Sequence, residues 1–335
     1  MSTSANHLIP LINHICLKSL VNRNTILTKT TSYWGVIMGQ YGEFFFWVCA
    51  KTVSMTHKVK TFFFKKTKTW KNHPFNKPFP IDKLEQIDSE IVSLVGKLPF
   101  TIQDYHVDDR EYAEFKNKFW PGYFYAIGYK DKKIMEHFVS YKLLELQGSD
   151  IYIDVASENS PYPAIFRRNL GLKTYSQDLS YKSGVHADRI GSSADNMPIE
   201  KDSVDKISLH CAFEHFCHDI DTKFIYELKR VLRPNGCCVV VPLYMSLNHL
   251  NVVDPLLNYK SIKFDAGSMV IAETNLGGLF ERYYSPSALE RILIPNIGLE
   301  YKIFRVKIPK SIWQNASKGL DRVRYALCIT KNKLV

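Results

Sequence analysis

Acid is almost missing from the first eighty residues, which hold 11 Lys and Arg against Glu43 alone, a net of +10. The other 255 residues carry 33 basic and 32 acidic side chains, so the formal charge of +11 belongs to one end of the chain. A nearly neutral remainder gives no electrostatic reason to hold nucleic acid. No long apolar run is present either. The most lipid-like stretch, 33–50, is aromatic and interrupted by Gln40 and Glu43, and it falls short of the roughly 20 residues that a spanning helix needs. The N-terminus lacks the order of charge, apolar run and small-residue cleavage site that marks a secretory signal. Seven cysteines, two of them adjacent, are an odd count that makes no disulfide framework, and they read as reduced thiols of a cytoplasmic protein. No repeat of 20–50 residues is visible. What remains is an ordinary globular composition, 45% hydrophobic, which excludes a disordered or fibrous chain.

The chain divides by composition. Residues 1–80 read as a basic, flexible arm, in which 58–77 interleaves phenylalanines, Val59 and Trp70 with seven lysines; such a mixture suits peripheral contact with a membrane surface. Pro74, Pro78 and Pro80 mark a linker. Residues 81–148 read as a helical lead-in and substrate cap, with one helix near 82–94 and another capped by Asp131 and ended by Gly148. From Ile151 strands and helices alternate. Strands are expected at 151–155, 173–177, 206–210, 237–243, 301–306 and 323–330, and helices at 163–170, 219–232 and 285–294, around an irregular insertion at 245–284. Alternating βα units imply an α/β, doubly wound, mostly parallel sheet. The last two strands have no helix between them and pair antiparallel.

In such a sheet ligands sit at the carboxyl ends of the strands, near the switch point. The first strand is followed by Asp154-Val155-Ala156-Ser157-Glu158-Asn159-Ser160-Pro161, and the second by Asp178, 24 residues beyond Asp154. An acid about 20 residues past the first strand is where these folds hold a ribose by its hydroxyls. Ser160-Pro161 suits the start of a helix whose free amides face an anion. Asp195, in the turn Ser193-Ala194-Asp195-Asn196, could accept from an adenine amino group. The stretch His210–His218 gathers three His and two Cys, yet a zinc site normally needs a second ligand pair, and none follows.

The run Asp195-Asn196-Met197-Pro198-Ile199, then Asp202-Ser203-Val204-Asp205, Phe213-Glu214-His215-Phe216 and Glu227-Leu228-Lys229-Arg230-Val231-Leu232-Arg233-Pro234-Asn235-Gly236, resembles class I S-adenosylmethionine-dependent methyltransferases, closest to the type 11 domain. The resemblance covers about 149–330, and the methyltransferase domain is placed at 149–335. It implies a seven-stranded Rossmann-like sheet with S-adenosyl-L-methionine as cofactor. Asp154, Ala156, Ser160, Asp178, Asp195, Asn196 and His210 would then line the cofactor, and Glu214 and His215 would flank the transferred methyl group. The family's first loop carries glycines at alternate positions, whereas Ala156, Glu158 and Ser160 stand there in this chain.

His215 is the preferred general base, since an imidazole titrates near neutrality and Glu214 can tune it. Tyr129, Phe213 and Tyr244 are candidate aromatic contacts. The expected reaction is methyl transfer to O or N of a small-molecule or glycan acceptor. Two alternatives differ in class. One is a degenerate fold that binds without turnover, suggested by the missing glycines. The other is a nucleic-acid methyltransferase that grips phosphates with the basic arm; against it, no Asn-Pro-Pro-Tyr-like motif follows the strand ending at His210.

Overall fold

A computed structural model describes residues 84–119, 130–158, 160–254, 262–273, 279–293, 295, 297–314, 316 and 320–333. The arm 1–80 and Tyr129 lie outside them. Among the described residues, three helices precede the first expected strand: α1 (Leu84–Val95), α2 (Asp109–Phe119) and α3 (Lys130–Leu144), with β1 (Thr101–His106) after α1. Asp131 is already inside α3 and pairs with Lys116 at 3.9 Å, so it does not cap that helix. Glu145, at φ 49°, ends it before Gly148 is reached.

The remaining order is β2 (Ile151–Val155), α4 (Tyr162–Leu170), β3 (Lys173–His186), β4 (Arg189–Gly191), β5 (Val204–His210), a 3-10 turn (Phe213–His215), α5 (Ile220–Val231) and β6 (Leu232–Val241). Then come β7 (Leu250–Val253), β8 (Met269–Ala272), β9 (Phe280–Tyr283), α6 (Pro286–Leu293), β10 (Leu299–Lys307), α7 (Lys310–Gln314), a 3-10 turn (Leu320–Arg322) and β11 (Tyr325–Lys331). The helix α5 forms because Phe224, Leu228 and Val231 recur at helical spacing and are all fully buried.

The main sheet runs β1-β10-β11-β6-β5-β2-β3-β4, parallel throughout except for β11. Six of these strands stand where strands were expected; β4 was not foreseen, and β1 comes from the stretch read as a helical lead-in and pairs in parallel with β10. The segment 245–284, expected to be irregular, builds a second sheet, β8-β7-β9.

Alternation along the strands sets two cores. Ile153, Val155, Cys238, Val240, Leu327 and Ile329 face one side, packed with α1, α5 and α6; Tyr152, Cys237, Val239, Val241 and Ala326 face the other, packed with α2, α3 and α4. No helix separates β3, β4 and β5. Instead β3 runs on and folds back, so that Ser183–His186 pairs with β4 a second time. There Gly191 is obligatory, because a Cβ would lie 2.0 Å from the Lys182 carbonyl oxygen. The loop residues Ala194 and Met197 fill the core where a helix would have lain. No helix among the described residues is long and apolar enough to cross a membrane.

Candidate active site

The chain goes outward from β2 to β3 and β4, then returns to β5 on the opposite side of β2. The switch point therefore lies above the ends of β2 and β5, where this fold class leaves a crevice. Glycines are missing from the loop there, but its backbone takes the conformation that glycine would favour. Ala156 sits at φ 54° and Glu158 at φ 47°, both left-handed. The strain is held by neighbours. Ala156 N–H donates to Gln177 Oε1 (3.1 Å), Ser157 N–H to the Gln177 carbonyl (2.9 Å) and Glu158 N–H to Asp178 Oδ2 (2.9 Å). Asp178 Oδ1 accepts from Ser180 N–H at 2.8 Å. A carboxylate oxygen accepts two bonds, so each oxygen of Asp178 keeps capacity for a ribose hydroxyl. Pro161 takes the N-cap position of α4, and Ser160 Oγ accepts from Tyr162 N–H at 3.3 Å. The Tyr181 hydroxyl, carried by the bend of β3 between Asp178 and Ser183, donates to the Glu158 carbonyl.

Asp154 and His210 are placed differently. Parity turns both toward α3, away from the loop. Asp154 is 1% exposed, and its Oδ1 takes bonds from Ser208 Oγ (2.9 Å) and His210 Nδ1 (3.0 Å). His210 Nε2 meets Ser140 Oγ at 2.8 Å. His137 stacks on Tyr162 at 4.0 Å, and burial holds its imidazole well below the ordinary value. This buried network braces the floor of the site. Ser140 and His137 were invisible as site residues in the sequence; the signal available was that 152, 154, 208 and 210 share one face of adjacent strands.

Asp195 accepts from the Ser193 hydroxyl in a half-buried turn, and Asn196 is exposed beside it. Met197 N–H donates to Glu227 Oε1 (2.7 Å), while Arg230 holds the Ile199 and Met197 carbonyls at 2.8 and 2.9 Å. Arg230 also grips both oxygens of Glu227. Arg233 grips both oxygens of Asp205 (2.9 and 2.7 Å), and Asp205 accepts from Ile151 N–H. The most family-like residues are thus staples between α5, the 195–199 turn and the strands.

Beyond β5 the His and Cys side chains go to separate partners. The Cys211 thiol donates to Glu136 Oε1 (3.0 Å), and burial, reinforced by Glu136, pushes it up to about 12. Glu214 is 2% exposed; burial raises its carboxyl against the pull of His215, and Oε2 has no hydrogen-bond partner. His215 Nδ1 lies 2.5 Å from the Phe280 carbonyl and must donate to it, which leaves Nε2 as the basic nitrogen, 3.9 Å from Glu214 Oε1. Tyr244 stacks on Tyr283 (4.8 Å) and accepts from Lys132 and Arg322, each at 3.4 Å. Phe213 is buried on Tyr284, at 5.2 Å.

Residues 168–240 match the family model described as a methyltransferase domain. No curated protein matches the chain. Solved structures similar to it include a Burkholderia thailandensis 1,6-didemethyltoxoflavin N1-methyltransferase with 1,6-didemethyltoxoflavin and S-adenosylhomocysteine bound, at 12% identity over 70% of this chain and 94% of that one, TM-score 0.39. Another is the YcgJ protein of Bacillus subtilis, at 15% identity over 60% and 99%, TM-score 0.37. The family match spans 73 of the 335 residues, from α4 through β6 of the mostly parallel sheet. The match takes in Asp178, Asp195, Asn196, His210, Glu214 and His215, and begins after Asp154, Ala156 and Ser160.

Proposed function

We propose that the chain is an S-adenosylmethionine-dependent methyltransferase acting on an oxygen or nitrogen of a small-molecule or glycan acceptor. The observation that carries this reading is the loop 155–160, which keeps left-handed backbone at Ala156 and Glu158 and rests on the Asp178 carboxylate. S-adenosylmethionine, when bound, supplies an electrophilic methyl group on sulfur. Asp178 would hold the ribose, the backbone of Ala156 and Glu158 would admit close approach of the amino-acid portion, and Asp195 and Asn196 would meet the adenine. His215, tautomerically fixed by the Phe280 carbonyl, presents Nε2 to take the acceptor's proton. Glu214, beside it, favours the imidazolium that results. The buried Asp154–His210 pair supports the strands that bear these groups. The basic arm 1–80, with its interleaved lysines and aromatic residues, suits peripheral contact with an anionic membrane surface.

A second reading, binding without turnover, is favoured by one contact: the Tyr181 hydroxyl already occupies the Glu158 carbonyl, across the cofactor loop. Calorimetric titration with S-adenosylmethionine separates the two. Saturable binding together with turnover of the methyl group supports the enzyme. In that case His215→Gln, which keeps a hydrogen bond but cannot take the proton, lowers turnover about 10²-fold or more. Absence of binding at millimolar cofactor supports the second reading.

A further inference from the structure

A cavity of about 670 Å³ lies between the start of α5, the 263–266 turn and α6, lined among others by His218, Asp221, Lys263, Asp265 and Arg291. That volume is typical of a small-molecule site. None of the residues assigned to methyl transfer is among those that line it. Along β9, Arg282 and, just beyond it, Tyr284 reach Asp221 of α5, whereas Glu281 and Tyr283 point the other way, to Arg322 and Tyr244.

Charge decides what the cavity suits. Its walls hold three carboxylates, and each already has a cation. Arg282, 1% exposed, donates to Asp221 Oδ2 (2.5 Å) and Asp265 Oδ1 (3.0 Å), and its Nε lies 2.8 Å from Asp265 Oδ2. His249 Nε2 approaches Asp265 at 2.7 Å, and Lys223 pairs with Asp219 at 3.1 Å. Arg282 also binds the Phe216 and His218 carbonyls, which fixes this wall. The wall's acids are therefore turned to cations that do not depend on a ligand. Lys263 and Arg291, from two different elements, have no polar partner among the described residues. The first turn of the 12-residue helix α5 adds the positive end of its dipole. Phe264, Ala288 and Ile292 complete the lining with apolar surface.

We propose that this cavity binds a small anionic molecule, held by a phosphoryl or carboxylate group between Lys263 and Arg291 with its organic part against Phe264 and Ile292. The site needs neither the cofactor loop nor His215. Titration of the full chain with inorganic phosphate, and separately with succinate, at constant ionic strength tests it. Saturable binding of at least one is expected, weakened about tenfold or more in the Lys263→Ala/Arg291→Ala double variant. Both side chains are exposed, so the double variant keeps the wild-type unfolding midpoint. Lys302→Ala, which removes an exposed cation paired with Glu300 on β10, binds like wild type. Phosphate alone binding assigns a phosphoryl ligand, succinate alone a carboxylate, and both a site that reads charge. Failure of wild type to bind either, or equal affinity in the double variant, overturns the proposal.

Discussion

The 195–236 segment and the 154–161 loop carry the family likeness in opposite ways. In the first, residue types match the family and their work is mechanical: Arg230 and Glu227 clasp the 197–199 turn, and Arg233 clasps Asp205. In the second, residue types depart from the family while the backbone takes left-handed conformations, which glycine favours, at Ala156 and Glu158. Side-chain identity is thus well suited to reveal scaffold, which depends on particular charged groups. It is poorly suited to reveal a cradle made of main chain, where conformation is held by outside partners such as Gln177 and Asp178.

The two acids of the expected cofactor site divide along the same line. Asp154 is buried in a pair with His210, and Asp178 is half-buried on the loop amides. Asp154→Ala leaves His210 in a buried site without its carboxylate, and should lower stability by about 3–5 kcal/mol, read as a shift in urea midpoint. A loss below about 1 kcal/mol would place Asp154 outside the scaffold. Gly191→Ala tests the hairpin that carries Tyr181. With a Cβ 2.0 Å from a carbonyl oxygen, a cost of about 1–3 kcal/mol is expected, again by urea unfolding. Glu158→Gly works in the other direction. Relief of a left-handed non-glycine residue should raise stability by about 0.5–1 kcal/mol, visible as a higher melting temperature. A lower one would show that the glutamate side chain supports the loop.

Much of the fold was legible because its signals were local. Ile151–Val155 and the hydrophobic end of β6 are short apolar runs, and α5 shows helical spacing; each stands within a few residues of its expected position. The added strand β1 was hidden, since Thr-Ile-Gln-Asp-Tyr-His has a largely exposed edge pattern and gains its place only by pairing with β10, some 200 residues on. The second sheet failed to show for the same reason: its strands are four residues each. Asp178, expected just past a strand ending at 177, lies within the longer β3, and His215 stands in the 3-10 turn after β5. The inward turn of Asp154 and His210 required knowing which face α3 covers. The Asp131 cap failed because α3 begins one residue earlier, at Lys130.

The central claim is that this loop, without the family's glycines, still forms a nucleoside cradle closed by Asp178. Titration of wild type and Asp178→Ala with S-adenosylhomocysteine tests it most directly. Loss of hydrogen bonds to a charged group, about 1.5–3 kcal/mol, predicts affinity lower by about 10- to 150-fold, with the unfolding midpoint little changed. Equal affinity in the two proteins would contradict the account.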